Sequence, residues 1–259
     1  MPSIRQLNAK MWKKGWNALR RGQFIRILYK LVTMVVNAYH FTLRKGRKAV
    51  TCPCCGWEGP AFAAESPGRR VTFNSSCPRC DSRSRHRGLA LLLPEILPEQ
   101  HGDWLVFAPE KVMLDLLTRM KIAFHTTDLN SVDVDFPGED IQVLTFEAES
   151  FGGILCNHVL EHVPDDREAM RECWRVLVPG GMAVFTLAGH FDRRETHVLP
   201  KPDWMGHHRY YGTEVCDAFA EAGFEVQMVD MGTQVDAKFG VRPGDMAFLC
   251  TKPGEAGQA

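Results

Sequence analysis

The rhythm of apolar and polar positions changes three times along this chain. Ile4, Leu7, Met11, Trp12, Trp16 and Leu19 recur at three- and four-residue spacing, with Lys10, Lys13, Lys14, Arg20 and Arg21 around them. A second apolar run, Phe24 to Leu43, is interrupted by the charges of Arg26 and Lys30. Residues 1–49 are therefore expected to form one or two helices. Between residues 50 and 88 the periodicity fades, and Cys, Pro, Gly and Arg dominate. From Leu89 the chain turns apolar again, as a short helix through Leu97 that Pro94 must kink or end. Beyond it, Trp104–Ala108, Ala123–Thr127, Gly153–Asn157 and Met182–Leu187 have strand length, while Lys111–Met120 and Asp165–Leu177 have helical period. Such alternation implies a parallel sheet covered by helices. The expected organisation is a helical arm (1–49), a cysteine-rich segment (50–88) and an α/β domain (89–259).

Composition changes this picture in one respect. At 259 residues, 45% apolar and 24% charged, the chain is sized for one or two globular domains and is not a wholly disordered polymer. Its net charge of zero hides an asymmetry. Residues 1–50 hold twelve Lys and Arg and no acid, the first acid being Glu58, so the remainder carries 19 bases against 31 acids. Four readings of the basic arm stand side by side: an amphipathic anchor (residues 1–43) on an anionic membrane surface, a nucleic-acid arm, a transit peptide, or a helix packed on the body through its apolar stripe. The longest charge-free run near the N-terminus, Leu31 to Leu43, has thirteen residues, whereas a spanning helix needs about 20. With no secretory signal pattern either, the expected location is the cytoplasm, peripheral to the inner membrane surface if the arm anchors.

The cysteines carry the next signal. Cys52-Pro-Cys54-Cys55 and Cys77-Pro-Arg-Cys80 are two CxxC knuckles with twenty-one residues between Cys55 and Cys77. Each knuckle aims two thiolates at one point, and two knuckles complete a tetrahedral sulfur shell. Cys52, Cys55, Cys77 and Cys80 are the expected ligands of a structural Zn2+. Cys54 breaks the CxxC register, and Cys156, Cys173, Cys216 and Cys250 sit in apolar stretches, as buried core residues do. This usage fits a reducing compartment. Just beyond the second knuckle, Arg79, Arg83, Arg85, His86 and Arg87 form a basic tract, read either as an anion contact or as a solvated face.

In an open parallel sheet, ligands bind at the carboxyl ends of the strands. The first strand is followed by Phe107-Ala108-Pro109-Glu110 and the second by Asp128. A carboxylate at that second position suits the two hydroxyls of a ribose. The glycine-rich pyrophosphate cradle is missing, which counts against NAD and FAD and leaves room for a nucleoside cofactor without phosphates.

Ile154-Leu155-Cys156-Asn157-His158-Val159-Leu160-Glu161-His162-Val163, followed by Leu177-Val178-Pro179-Gly180-Gly181, closely resembles class I S-adenosylmethionine-dependent methyltransferases. The likeness is strongest to the ubiquinone-biosynthesis type and runs from about Trp104 to Pro253. The zinc pairs, the Ser-Arg-His-Arg that follows them and His207-His208-Arg209-Tyr210-Tyr211-Gly212 are similar to a bacterial subgroup with an N-terminal zinc ribbon. The resemblance implies a Rossmann-like, doubly wound sheet of seven strands whose last two, Phe224–Val229 and Met246–Thr251, form an antiparallel hairpin. It also implies S-adenosylmethionine as cofactor. Asp128 would hold its ribose and Asp140 with Ile141 would sit by the adenine. Asn157 and His158 would lie under the methionine end, with Phe107, Ala108 and Glu110 in the first loop. That loop departs from the family, Glu110 standing where a glycine is usual; Gly152 replaces the usual Asp.

Histidine suits a base near neutral pH. His158 is one candidate. His207 and Arg209, in an insertion after the fifth strand, are expected to face the acceptor, Arg209 as a clamp for an anionic group. The acceptor is unidentified: a small molecule, lipid or envelope-glycan precursor is favoured, with RNA or protein as the other classes. A rival reading makes the chain a non-catalytic zinc-ribbon binding module on a methyltransferase-like scaffold, docking on nucleic acid or an anionic membrane.

Overall fold

The computed structural model describes residues 24–44, 46–66, 70–97 and 102–254; the helix expected over residues 1–23 lies outside them. Two compact units emerge. One draws on Met1–Leu91 and Gln234–Arg242, the other on Leu92–Thr233 and Pro243–Ala259. The first unit thus joins what the sequence divided into arm and cysteine-rich segment. It also recovers a stretch of nine residues, 234–242, that no sequence pattern assigned to it.

The first unit begins with helix α1 (Phe24–Ala38), which runs into a π-helical turn, Tyr39–Leu43. Two small antiparallel hairpins follow: β1 (Val50–Thr51) with β2 (Glu58–Gly59), and β3 (Ala63–Glu65) with β4 (Thr72–Ser76). Helix α1 is fastened by a polar side chain. Buried Asn37 accepts from the Ala64 amide at 2.8 Å and donates to the Ala64 carbonyl at 3.1 Å, as a neighbouring strand would. The small core is aromatic: the rings of Trp57 and Phe62 lie 5.9 Å apart. Gly59 must be glycine, since a Cβ there would fall 2.2 Å from the Trp57 ring.

Helix α2 (Ser84–Ile96) starts five residues before the expected Leu89, and Pro94 falls in its last turn, so the helix ends two residues beyond it. Its buried Arg87 closes the unit. The guanidinium lies 3.9 Å over the Phe62 ring and donates to the carbonyls of Ser82 (2.7 Å), Gly240 (2.8 Å) and Phe239 (2.9 Å). The returning segment is held there by a side chain with five donors in a fixed fork.

The second unit is built on one seven-stranded sheet. Its strands are β5 (Trp104–Phe107), β6 (Phe124–Asp128), β7 (Phe136–Pro137), β8 (Phe151–Asn157), β9 (Leu177–Thr186), β12 (Glu225–Asp230) and β13 (Met246–Thr251). Their order is β12-β13-β9-β8-β5-β6-β7. Strands β9, β8, β5, β6 and β7 are mutually parallel, while β13 runs antiparallel to both β9 and β12. All seven residues of β8 are buried, as expected of a central strand covered on both faces. The covering helices are α3 (Lys111–Arg119), α4 (Asp166–Val176) and α5 (Val215–Glu221). Asp165 caps α4, its carboxylate accepting from the Glu168 amide at 3.0 Å. Between β9 and α5, β10 (His197–Val198) pairs antiparallel with β11 (Arg209–Tyr210). The insertion read from sequence is therefore a hairpin.

The chain passes from β5 outward to β6 and β7, then returns to place β8 on the other side of β5. The strand order reverses between β5 and β8, and a crevice opens there at their carboxyl ends.

Candidate cofactor and acceptor site

A cavity of about 360 Å³ occupies that crevice, in the size range of small-molecule sites. Six of the expected cofactor residues line it: Phe107, Ala108, Asp128, Asp140, Ile141 and His158. Two residues on its rim carry unusual backbones. Ala108 ends β5 at φ 45° and His158 follows β8 at φ 55°, both in the left-handed region that non-glycine residues rarely visit. Each is pinned by a hydrogen bond to the adjacent strand, Ala108 N to Thr127 O at 2.9 Å and His158 N to Thr186 O at 2.8 Å. Ala108 thus takes the conformation for which a glycine would ordinarily serve. Conformations of this kind concentrate where a fold over-determines a functional site.

Asp128 turns the chain after β6. Its Oδ1 accepts from the amides of Asn130 and Ser131, both at 2.7 Å. One carboxylate oxygen is thereby committed to the loop. Asp140 folds back on Gln142, accepting from its amide at 2.9 Å, while neighbouring Ile141 is buried. Glu110 and Asn157 have another role. They do not line the cavity; the Asn157 amide donates to the Glu110 carboxylate and its Oδ1 accepts from the Thr186 hydroxyl. This chain ties β9 and β8 to the loop after β5, so the unusual Glu110 serves as a brace.

His158 does not act alone. Its Nδ1 meets Oε1 of Glu161 at 2.6 Å, and Glu161 is wholly buried. Burial pulls the Glu161 carboxyl upward, but the His158 hydrogen bond and the nearby His158 and His162 charges outweigh it, leaving its pKa below the ordinary value. The sequence reading passed over Glu161. The signal was present, since a carboxylate three residues after His158 and just before His162 falls within reach of both.

His207 and Arg209 are both buried. His207 packs edge-on against His162, ring centroids 4.7 Å apart, and burial lowers its pKa. One atom each of Glu161, His162 and His207 lie within 4.8 Å of one another. The Arg209 guanidinium pairs with Asp166 at 3.0 Å and donates to the Pro164 carbonyl at 2.7 Å. It fastens the hairpin to the start of α4. The expected acceptor clamp is corrected on this point, because its donors are engaged within the fold.

In the first unit, the Sγ atoms of Cys52, Cys55, Cys77 and Cys80 all lie within 4.8 Å of one another. The pairs Cys52–Cys80 and Cys55–Cys77 are each 3.7 Å apart. A tetrahedral metal with bonds of about 2.3 Å sets its sulfurs about 3.8 Å apart, so the cluster has the dimensions such an ion requires. Hydrogen bonds from Cys54, then Cys77 and Cys80, push the Cys52 thiol down, whereas burial pushes Cys55 up to about 12. Cys54 stands outside the cluster, its Sγ 3.4 Å from the His86 carbonyl. The basic tract is not an open anion patch. Arg87 is buried, Arg83 pairs with Glu65, and Arg79 donates to the Cys55 carbonyl.

Comparison with known proteins matches this geometry. Residues 106–185 match the methyltransferase domain family Methyltransf_11. A ubiquinone biosynthesis O-methyltransferase of Coxiella burnetii is 31% identical over 65 residues, which is 25% of this chain and 28% of that protein. One from Xanthomonas oryzae is 42% identical over 53 residues, 20% of this chain and 22% of that protein. The chain thus matches under a third of the length of these relatives. Among solved structures, a chain from a Haloferax volcanii complex of a methyltransferase activator with a methyltransferase superposes with a TM-score of 0.51 at 16% identity. That superposition covers 67% of this chain and 92% of that one, and it supports the fold alone. Fold, crevice and family match point the same way: within the α/β domain, residues 106–185 are similar to the methyltransferase domain family, on a seven-stranded sheet that ends in an antiparallel hairpin.

Proposed function

We propose that the protein transfers a methyl group from S-adenosylmethionine to an acceptor that must lose a proton. The observation that carries this reading is the cavity at the switch point, with Asp128 on one wall and the His158–Glu161 pair on another. The residues fit a phosphate-free nucleoside. No glycine-rich phosphate cradle precedes α3, Ala108 supplies the tight backbone in its place, and Asp128 keeps a second carboxylate oxygen beyond the one its loop uses. The left-handed Ala108 supports this reading over a non-catalytic scaffold.

When bound, the cofactor supplies a methyl group on a positively charged sulfur. Much of the remaining acceleration comes from holding the acceptor in line and in contact, which is the work of the cavity walls. His158 holds the proton. With Nδ1 engaged by Glu161, its Nε2 is the atom left to accept a proton from a hydroxyl, and the buried carboxylate stabilises the imidazolium that results. O-methylation, the chemistry named for the ubiquinone biosynthesis relatives, is the reaction class this pair suits. His207 supports the arrangement through His162.

Cys52, Cys55, Cys77 and Cys80 would hold Zn2+. Four thiolates leave no open position, so the metal would hold the small first unit together without taking part in the reaction. The expectations are one zinc per chain by elemental analysis and loss of the first unit's structure in chelator; a metal-free, fully folded protein would reject the assignment.

Calorimetry with S-adenosylmethionine tests cofactor binding, and the expected result is a saturable heat at micromolar concentrations. No binding at high micromolar cofactor ends the enzyme reading. Labelled methyl transfer in a cell extract, followed by fractionation of the product, identifies the acceptor. The variant Glu161→Gln is expected to keep cofactor binding while lowering the rate of methyl transfer, because a neutral partner no longer stabilises the imidazolium that His158 becomes.

A further inference from the structure

Helix α1 is amphipathic in the inverted sense. Its polar residues Thr33 and Asn37 are buried, Asn37 being the side chain that pairs with Ala64. Its apolar residues Ile25, Leu28, Leu31, Val32 and Val35 are exposed, Leu28 to 60% and Val35 to 69%, and so is Tyr39, the first residue of the π-helical turn. At about 100° per residue the exposed set forms one stripe, centred roughly 150° from Thr33 and Asn37. Leu43, at 78% exposure, extends it past the helix end. A stripe of three to four turns cannot be left to water without consequence. A globular surface helix turns such a stripe inward. Here the docking contact is polar and the stripe faces out. No helix among the described residues is long and apolar enough to cross a membrane.

Charge decides among the candidate occupants. The first fifty residues hold twelve bases and no acid, and Arg44, Lys45, Arg47 and Lys48 follow directly on the stripe. Arg47 and Lys48 are exposed, Lys48 while paired with Glu58 at 2.6 Å. A neutral protein groove would need no such excess of base and nucleic acid would need no apolar stripe, whereas an anionic bilayer takes up both, the charges contributing about 1 kcal/mol each near its surface. We infer that the outward stripe of α1 is a membrane-docking surface. The helix lies in the interface of an anionic bilayer, with its apolar side chains among the acyl chains and the basic residues at the headgroups. This inference is independent of the methyl-transfer reading.

The test is sedimentation of the full-length protein with vesicles of phosphatidylcholine, with and without phosphatidylglycerol. Binding is expected with the anionic lipid and should weaken as salt is raised. The double variant Leu28→Glu/Val35→Glu should lose at least about tenfold in partitioning, from lost apolar insertion alone. Because both side chains are exposed, its circular dichroism and melting should be unchanged. The control Val132→Glu, an exposed apolar residue in the other unit, should bind as the parent does. The inference is overturned by absence of sedimentation, or by equal sedimentation of the double variant. It is also overturned if the substitutions abolish a self-associated species, or lower stability by uncovering an intramolecular contact, without changing vesicle binding.

Discussion

Asp128→Asn isolates one atom of the proposed cofactor site. In the parent, Oδ1 accepts two backbone amides at 2.7 Å and shapes the turn after β6. Asparagine keeps a carbonyl oxygen for those amides and places an NH2 group where Oδ2 was. The loop therefore survives the change, and a ribose hydroxyl loses a charged acceptor. A hydrogen bond to a charged group contributes about 1.5–3 kcal/mol, so the dissociation constant for S-adenosylmethionine should rise roughly 10- to 150-fold. Asp128→Ala should cost more, because the two loop amides lose their acceptor as well. Titration calorimetry with S-adenosylmethionine and S-adenosylhomocysteine reads both. The two ligands share their ribose, so the losses should agree. An Asp128→Asn protein that binds within twofold of the parent would show that the sugar is held elsewhere.

Other consequences can be checked independently. Arg87→Met removes a buried side chain that serves the carbonyls of Ser82, Phe239 and Gly240. The first unit should lose about 3–5 kcal/mol of stability, because the Phe239 and Gly240 carbonyls lose their donor and the Ser82 carbonyl keeps only the Cys77 amide; denaturant unfolding measures it. A Cβ at position 153 would fall 2.1 Å from the Trp104 ring, so Gly153→Ala should destabilise the sheet by about 1–3 kcal/mol, and a smaller residue at 104 should restore part of the loss. Asp203 is held at about 2 by the Tyr210 hydroxyl at 2.6 Å together with backbone amides, against an ordinary 3.8. A depressed carboxyl stabilises the hairpin loop above its ordinary value and loses that contribution as the pH falls through the folded one. Tyr210→Phe should move the titration seen by carboxyl NMR upward within the window from pH 2 to 4; an unmoved midpoint would refute the assignment of cause.

Much of the α/β domain was legible because its strands are short, apolar and separated by helical periods. Trp104, Lys111 and Asn157 fall where the spacing places them at element ends. Ala108 was read as strand, yet it leaves β5 in a left-handed turn, a choice fixed by Thr127 across the sheet. Leu177-Val178-Pro179-Gly180-Gly181 reads as a turn by composition. It is instead the first half of β9, whose register with β8 shifts between Phe151 and Gly153, where Gly180 at φ 78° absorbs the irregularity. The ligand set of the cysteine cluster follows from spacing, since a CxxC turn fixes its own geometry. Arg209 was misread for the opposite reason. Nothing local tells a guanidinium whether it will meet a ligand or Asp166, forty-three positions away in sequence. The same limit hid the role of residues 234–242.

That last segment has a consequence for how the protein is made. A ribosome delivers Arg87 long before it delivers Phe239 and Gly240, and the whole seven-stranded sheet except β13 is synthesised in the interval. The cysteine knuckles can gather as soon as they emerge, but the guanidinium waits for its final acceptors until translation is nearly over. A fragment ending at Leu91 is therefore a permanently unfinished domain, and a nascent chain stalled before residue 239 should be cut by protease between Val50 and Leu91 more readily than the full-length protein is.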